Sequence, residues 1–283
     1  MRLKLAIQKS GRLYDGSLEL LKECGIELPN GSKLKTEAYN FPMDILFLRD
    51  DDIPQYVLDG VADIGIVGEN VLMESGKDIL TVEKLGFGKC RLSLAIPKAD
   101  EYNSAKDING KKIATSYPVL LQKFLDKNKV TAEIHEISGS VEIAPGIGLA
   151  DAVCDLVSSG STLLMNGLKE VETVLKSEAV LVAQHNLGKE KQEWLDKFLF
   201  RIRAVKKAKH NKYVLLNAPN EKLQSIINLI PGMKSPTVLP LAEQGWSSVH
   251  SVVNDDDFWE VIEKLKKEGA QGILVIPIEN MVI

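Results

Sequence analysis

The stretch Asp151–Leu168, DAVCDLVSSGSTLLMNGL, reads as a buried strand, a hydroxyl-rich turn and the start of a helix. Its apolar run around Val153 and Leu156 suits an inner strand of a sheet covered on both faces. The run stops at Ser158, Ser159, Gly160, Ser161 and Thr162, which offer free backbone N–H groups, hydroxyls and one residue tolerant of positive φ. Amides at a helix start, aided by aligned peptide dipoles, hold an anion without needing a lysine. A plain helix cap made of the same small polar residues is the competing reading. The neighbours favour the anion. Asp155 lies three residues before the turn, with Asp151 and Glu142 upstream, a placement that bare electrostatics disfavours and that a magnesium ion or sugar hydroxyls would reconcile.

Working outward, strands and helices alternate. LKLAI, DILFL and DIGIVG read as strands, separated by helices over SLELLKEC and IPQYVLDG. This grammar predicts a parallel sheet covered on both faces, forming a first lobe that ends near Gly88. A second α/β unit runs through RLSLAIP, KKIATSYP, a helix over VLLQKFLDKN, TAEIHEI and DAVCDLV. A strand-like run from Val171 to Gln184 is expected to return to the first lobe, so that two crossovers make a hinge. The division is then residues 1–88 with 178–205, residues 89–177, and residues 206–283. Ligands of such sheets bind beyond the carboxyl ends of the strands, in the crevice between lobes. The last segment has the order β, α, β, β, α, β of a ferredoxin-like, ACT-like α+β unit; modules of that kind often bind amino acids and control a neighbouring enzyme.

At 283 residues and 45% apolar, the chain can bury a substantial core. Its longest apolar runs fall short of a membrane span, and the start, MRLKLAIQKSGRL, turns polar within a handful of residues, so a cytoplasmic protein is expected. Cys24, Cys90 and Cys154 are far apart and match no zinc spacing or redox pair, as expected for reduced thiols. A net charge of −4 argues against a nucleic-acid binder. The cluster Lys206, Lys207, Lys209 and Lys212 reads as a solvated helix end. His135, His185, His210 and His250 are scattered, and none is assigned a catalytic role.

Nearer the N-terminus, QKSGRL ends a strand with Lys9, Gly11 and Arg12 before a helix. Lys9 would act as a point charge, Arg12 as a planar fork, and Gly11 would allow close backbone approach to a polyphosphate; an ordinary turn with exposed cations is the alternative. DGVADIGIVGENVL places Asp63, Glu69 and Asn70 near a strand exit where a nucleoside would be read, although its glycines would equally serve only helix packing. Arg49, before three consecutive acids that suit a helix start, is a crevice candidate, as are Ser93 and Thr115 at strand exits of the second lobe.

The turn at Ser158–Thr162 resembles the phosphoribosyl pyrophosphate loop of phosphoribosyltransferases, with Cys154 where many of them carry the first of two acids. Taken in order, QKSGRL, RDDDIP, DIGIVGENVL, CRLSLAIP, ATSYP, DAVCDLVSSGSTL, SPTVLPLA and ILVIPIE resemble the long form of the ATP phosphoribosyltransferase family over essentially the whole length. That resemblance implies a two-lobed fold like type II periplasmic binding proteins, with a C-terminal module that senses histidine. It implies attack of N1 of ATP on C1 of phosphoribosyl pyrophosphate, release of pyrophosphate, a need for Mg2+, and assembly of dimers into a hexamer. On this view Ser158, Ser159, Gly160, Ser161 and Thr162 hold the ribose 5-phosphate, while Asp155 and Asp151 meet the ribose hydroxyls. Lys9 and Arg12 help neutralise the polyphosphates. Lys9, Gly11, Arg12, Arg49, Asp63, Glu69, Asn70, Ser93 and Thr115 are the implied ATP contacts, and Glu142 and Asp155 the implied metal contacts, largely through substrate phosphates. Asn217, Thr237 and Gly272 are implied for histidine, in a pocket between neighbouring copies. A non-catalytic bilobal binder of a small anion or amino acid is the rival hypothesis, and the C-terminal unit has a purely oligomerising alternative.

Overall fold

The computed structural model describes residues 1–29, 34–256 and 258–282, and the chain divides into two compact units, Met1–Leu195 and Asp196–Ile283. In chain order the first contains β1 (Leu3–Gln8), α1 (Arg12–Glu23), β2 (Lys35–Glu37), β3 (Met43–Leu48), α2 (Ile53–Leu58), β4 (Ile64–Gly68), α3 (Glu69–Ser75) and β5 (Leu80–Lys84). It continues with β6 (Cys90–Pro97), β7 (Lys112–Thr115), α4 (Pro118–Asn128), β8 (Glu133–Glu136), β9 (Ala152–Val157), α5 (Ser161–Met165), β10 (Leu168–Ser177) and β11 (Ala179–Ala183). Helix α6 (Lys189–Lys209) follows, and the second unit holds β12 (Asn211–Pro219), α7 (Leu223–Leu229), β13 (Thr237–Pro240), β14 (Trp246–Asn254), α8 (Phe258–Lys267) and β15 (Gln271–Pro277). Among the described residues no helix is long and apolar enough to cross a membrane.

Two sheets build the two lobes of the first unit, in the orders β2-β3-β1-β4-β11-β5 and β10-β6-β9-β7-β8. The parallel sheet expected for the first lobe is instead mixed. β1 runs parallel to β3 and β4, whereas β11 is antiparallel to β4 and β5, and β2 is antiparallel to β3. β11 enters this sheet directly from β10 of the other one, with Glu178 alone between Ser177 and Ala179. The run Val171–Gln184 accordingly breaks into β10, in one sheet, and β11, in the other. Leu85–Lys89 forms the second crossing, and the two crossings are bonded together: Ala179 N–H donates to Phe87 O, and Gly86 N–H to Glu178 Oε2, both at 2.9 Å.

Alternation along β9 decides what reaches the crevice. Ala152 and Cys154 join Leu92, Leu94, Ile113 and Leu121 in the core under α4, whereas Val153 and Val157 join Ala114, Val141 and Leu163 on the other face. With period two, Asp155 lies on the Val153 and Val157 side, toward α5 and Glu142. Gly65 is a packing residue: a Cβ there would lie 2.6 Å from Ile53 Cγ2 and 3.3 Å from Val182 Cγ2. Helix α1 starts at Arg12, five residues before the helix expected from SLELLKEC.

The second unit carries a four-stranded sheet in the order β13-β14-β12-β15, antiparallel throughout. One face packs Val214, Leu216 and Val249 against Ile226 of α7 and Leu265 of α8. This is the ferredoxin-like arrangement, and the first unit has the two-lobed type II binding-protein architecture.

Candidate functional site

Strands β7 and β9 run parallel, so their carboxyl ends open on the same side of the second sheet. β9 ends at Val157, and the chain turns through Gly160 at φ 82° into α5. Gly160 brings no side-chain cap to α5, so the first-turn amides lack that partner. Ser159 Oγ and Ser161 Oγ are 3.0 Å apart across the turn. Helix α5 has only five residues, too few for the large aligned dipole expected from sequence; what the turn presents is its amides and hydroxyls.

Two arginines fasten this turn. Arg12, the first residue of α1, donates from Nη1 to Ser158 Oγ at 2.7 Å, linking the lobes across the crevice. Arg91 donates to the Ser158 carbonyl at 3.2 Å and forks onto both oxygens of Glu170 at 2.5 Å. The fork holds Glu170 below the usual carboxylate range and raises the Arg91 guanidinium. Ser93 completes this cluster by donating to Glu170 Oε1 at 2.8 Å. It is fully buried and faces protein, a correction to its expected contact with nucleotide.

Burial pushes the Asp155 carboxyl up, and the Glu142 charge adds to this, while the Leu156 N–H donating to Oδ1 at 2.7 Å opposes it. A carboxylate made costly in this way gains from any cation or hydroxyl that joins it. Tyr117 is raised too, by burial first and by the Asp155 charge second. Its hydroxyl accepts from Asn70 Nδ2 at 3.1 Å, a second link between the lobes. Glu142 and Asp155 form a pair of hard oxygen donors; among the described residues no group of three or more His, Cys, Asp or Glu side chains could hold a metal ion. Such a pair fits an ion that keeps waters and substrate phosphates as its remaining ligands.

Other expected site residues fall in several places. Lys9 and Gly11 are exposed at the end of β1 beside Arg12. Arg49 lines a cavity of about 570 Å³ together with Asp50, Glu74, Ser116 and Tyr117, and a smaller one of about 320 Å³ joins Arg12, Asn70, Cys90 and Ser158. Glu69 pairs with Lys84 at 3.1 Å. Thr115 is turned inward: its hydroxyl donates to Cys154 O at 2.7 Å and accepts the Tyr117 N–H at 2.9 Å, shaping the turn instead of facing a ligand.

Asp63 and Asp151 lie at the wrong ends of their strands. Asp63 precedes β4, is fully buried, and accepts from Lys4 N–H at 2.8 Å and from Lys191 Nζ at 2.7 Å. Asp151 precedes β9 and accepts the Lys112 N–H at 2.8 Å, about 13 Å of strand rise from Asp155. Arg91 and Tyr117 belong to the segments Arg91–Ser93 and Thr115–Tyr117 that the sequence offered as strand exits; the residues not anticipated from the sequence are Glu170 and Glu74, and a glutamate on the strand beside Arg91 was the available signal for the first.

Cys90 lines the smaller cavity with Ser158, and burial raises its thiol. Slow modification of Cys90 alone among the three thiols is expected. Thiol titration with mass mapping checks this; labelling of the fully buried Cys154 at the same rate would contradict it.

In the C-terminal unit Gly272 has φ 55°, and a Cβ there would lie 3.3 Å from Asn217 Nδ2, so these two are neighbours. Thr237 pairs with His250 on β14, leaving it two strands from Asn217, about 10 Å or more away.

Residues 49–204 match the family described as HisG, ATP phosphoribosyltransferase, and residues 208–280 match the HisG C-terminal domain. The ATP phosphoribosyltransferase of Cytophaga hutchinsonii is 62% identical over 281 residues, 99% of this chain and 98% of its own length. The ATP phosphoribosyl transferase (HisG:HisZ) complex from Thermotoga maritima aligns with TM-score 0.60 and 29% identity, covering 71% of this chain and 98% of that one. A periplasmic sulfonate-binding protein from Methylobacillus flagellatus, 16% identical, aligns with TM-score 0.52 over 81% of this chain and 72% of its own, a likeness of fold alone. With matches covering both units, the chain belongs to the ATP phosphoribosyltransferase family, pentosyltransferases of the first step of histidine biosynthesis.

Proposed function

We propose that the crevice transfers the 5-phosphoribosyl group of phosphoribosyl pyrophosphate to N1 of ATP. The observation that carries this reading is Arg12 bonded to Ser158, which brings a cation of the first lobe onto the phosphate turn of the second. The amides and hydroxyls of Ser158–Thr162 hold the 5-phosphate, and Asp155 faces the ribose hydroxyls. ATP occupies the cavity bounded by Arg49 and Tyr117. The adenine N1 lone pair forms the new bond to C1 on one side as the C1–oxygen bond breaks on the other; its electron pair leaves with pyrophosphate, and C1 is inverted. The enzyme's work is positioning and charge stabilisation. Lys9 and Arg12 meet the departing charge. Asp155 and Glu142, with the substrate phosphates, would hold Mg2+, which would supply further neutralisation.

Residues 1–88 with 178–205 and residues 89–177 are proposed as the two catalytic lobes, and residues 206–283 as a histidine-sensing domain in a dimer-based hexamer in the cytoplasm. The separation of Thr237 from Asn217 and Gly272 favours a histidine pocket shared between copies. An ultraviolet assay for N1-modified adenine nucleotide tests the reading. Product should require ATP, phosphoribosyl pyrophosphate and Mg2+ together, and histidine should suppress it; no product from the complete mixture would refute the transferase.

A further inference from the structure

Helix α4 has no cap of its own, since the Tyr117 side chain at its N-cap accepts no bond from the first turn. The acceptor comes from the other lobe. Val119 N–H donates to Glu74 Oε1 at 2.8 Å, and Leu120 N–H donates to Glu74 Oε2 at 2.9 Å. Glu74 stands in the last turn of α3, 45 positions before Val119. At the opposite end of α3, Asn70 donates to Tyr117 Oη, and its Oδ1 accepts from Ser177 Oγ at 2.8 Å. Ser177 is the last residue of β10, where the chain crosses between lobes. One seven-residue helix of the first lobe therefore grips the second at the crossing and again at the start of α4.

We propose that Glu74 is a positioning residue for the transferase: its carboxylate, by capping α4 across the crevice, sets the spacing of the lobes and so the width of the cavity assigned to ATP. The proposal rests on the transferase reading. That cavity has Arg49, Asp50 and Glu74 on one wall and Ser116, Tyr117 and Glu136 on the other, so the Glu74 bonds tie its two walls together. Both carboxylate oxygens are used, each in a charge-assisted bond. A glutamine keeps one acceptor oxygen and turns an NH₂ toward the second amide, so one bond is lost while the volume is kept.

The experiment compares wild type, Glu74→Gln and Ser104→Ala as full-length chains. It reads hydrogen exchange at Val119 and Leu120 in the ligand-free protein, and KM for each substrate. Ser104 caps a short 3-10 turn within the second lobe alone, so its loss serves as a purely structural control. Glu74→Gln should speed exchange at the two amides and raise KM for ATP about tenfold, with kcat and the KM for phosphoribosyl pyrophosphate within about twofold, as expected for a misplaced wall. Ser104→Ala should lower thermal stability without moving either KM. Unchanged exchange in Glu74→Gln, an unchanged KM for ATP, or an equal KM rise in Ser104→Ala overturns the proposal. Glu74→Asp, which is too short for both bonds, serves if Glu74→Gln does not fold. Wild type without turnover would sink the transferase reading instead; exchange, with an equilibrium ATP titration in place of KM, then judges Glu74 independently.

Discussion

Asp155→Asn should lower turnover by about 10³, the scale of a lost electrostatic partner at a reacting centre, while leaving the protein folded. The amide keeps the shape and still accepts the Leu156 N–H, so the loss reports charge. Stability should move the other way. Burial raises this carboxyl in the folded chain, so ionising it there costs more than in the unfolded chain. The cost is absent below the ordinary carboxylate range and grows as pH rises through the raised folded value. The variant should therefore melt at or above the wild-type temperature at neutral pH, and the gap should close as pH falls through the carboxylate range. Steady-state kinetics with both substrates and thermal unfolding across that range measure the two effects. Full activity in Asp155→Asn would remove this residue from the site.

Gly160→Val is the second substitution with a large expected effect. Gly160 adopts φ 82° at the head of α5, a conformation that costs an ordinary L-residue about 1–2 kcal/mol and a β-branched one more. Crowding is not the obstacle, because a Cβ there would meet only Val157 Cγ1 at 3.8 Å. The expected result is a fall of about 10² in kcat/KM for phosphoribosyl pyrophosphate, since small displacements of a positioning loop are expensive, with a much smaller change in KM for ATP. Gly160→Asn should retain most activity because Asn tolerates the left-handed region. Equal losses in the two variants would show that strain at this bend is not the cause.

The turns at Ser158–Thr162 and at Lys9–Arg12 were legible as turns because each is a local pattern in which an apolar strand stops at residues whose chemistry differs sharply from what precedes them. The sequence names Arg12 and Ser158 separately; the fold joins them at 2.7 Å. The same reasoning misplaced Asp63 and Asp151. Periodicity tells which face of a strand a residue occupies, and an acid just before an apolar run looks alike whether that end faces the crevice or lies opposite it. Thr115 does end its strand, whereas Ser93, expected at a strand exit, lies inside β6; their hydroxyls turn to the Cys154 carbonyl and to Glu170. Those partners are 39 and 77 positions away, beyond any local pattern.

Sequence alone determined the succession of elements, the ferredoxin-like order of the last segment, the bend that ends β9 and the family that this order of motifs resembles. These depend on short-range properties: side-chain period, turn chemistry and the conformational freedom of glycine. Tertiary structure alone decided that β11 returns antiparallel, that Arg91 and Glu170 brace the turn after β9, that Asp63 is a buried anchor, and that α4 is capped by Glu74. Each of those is a hydrogen bond or strand pairing between distant segments, and its partner exists only once packing has brought the two sheets together.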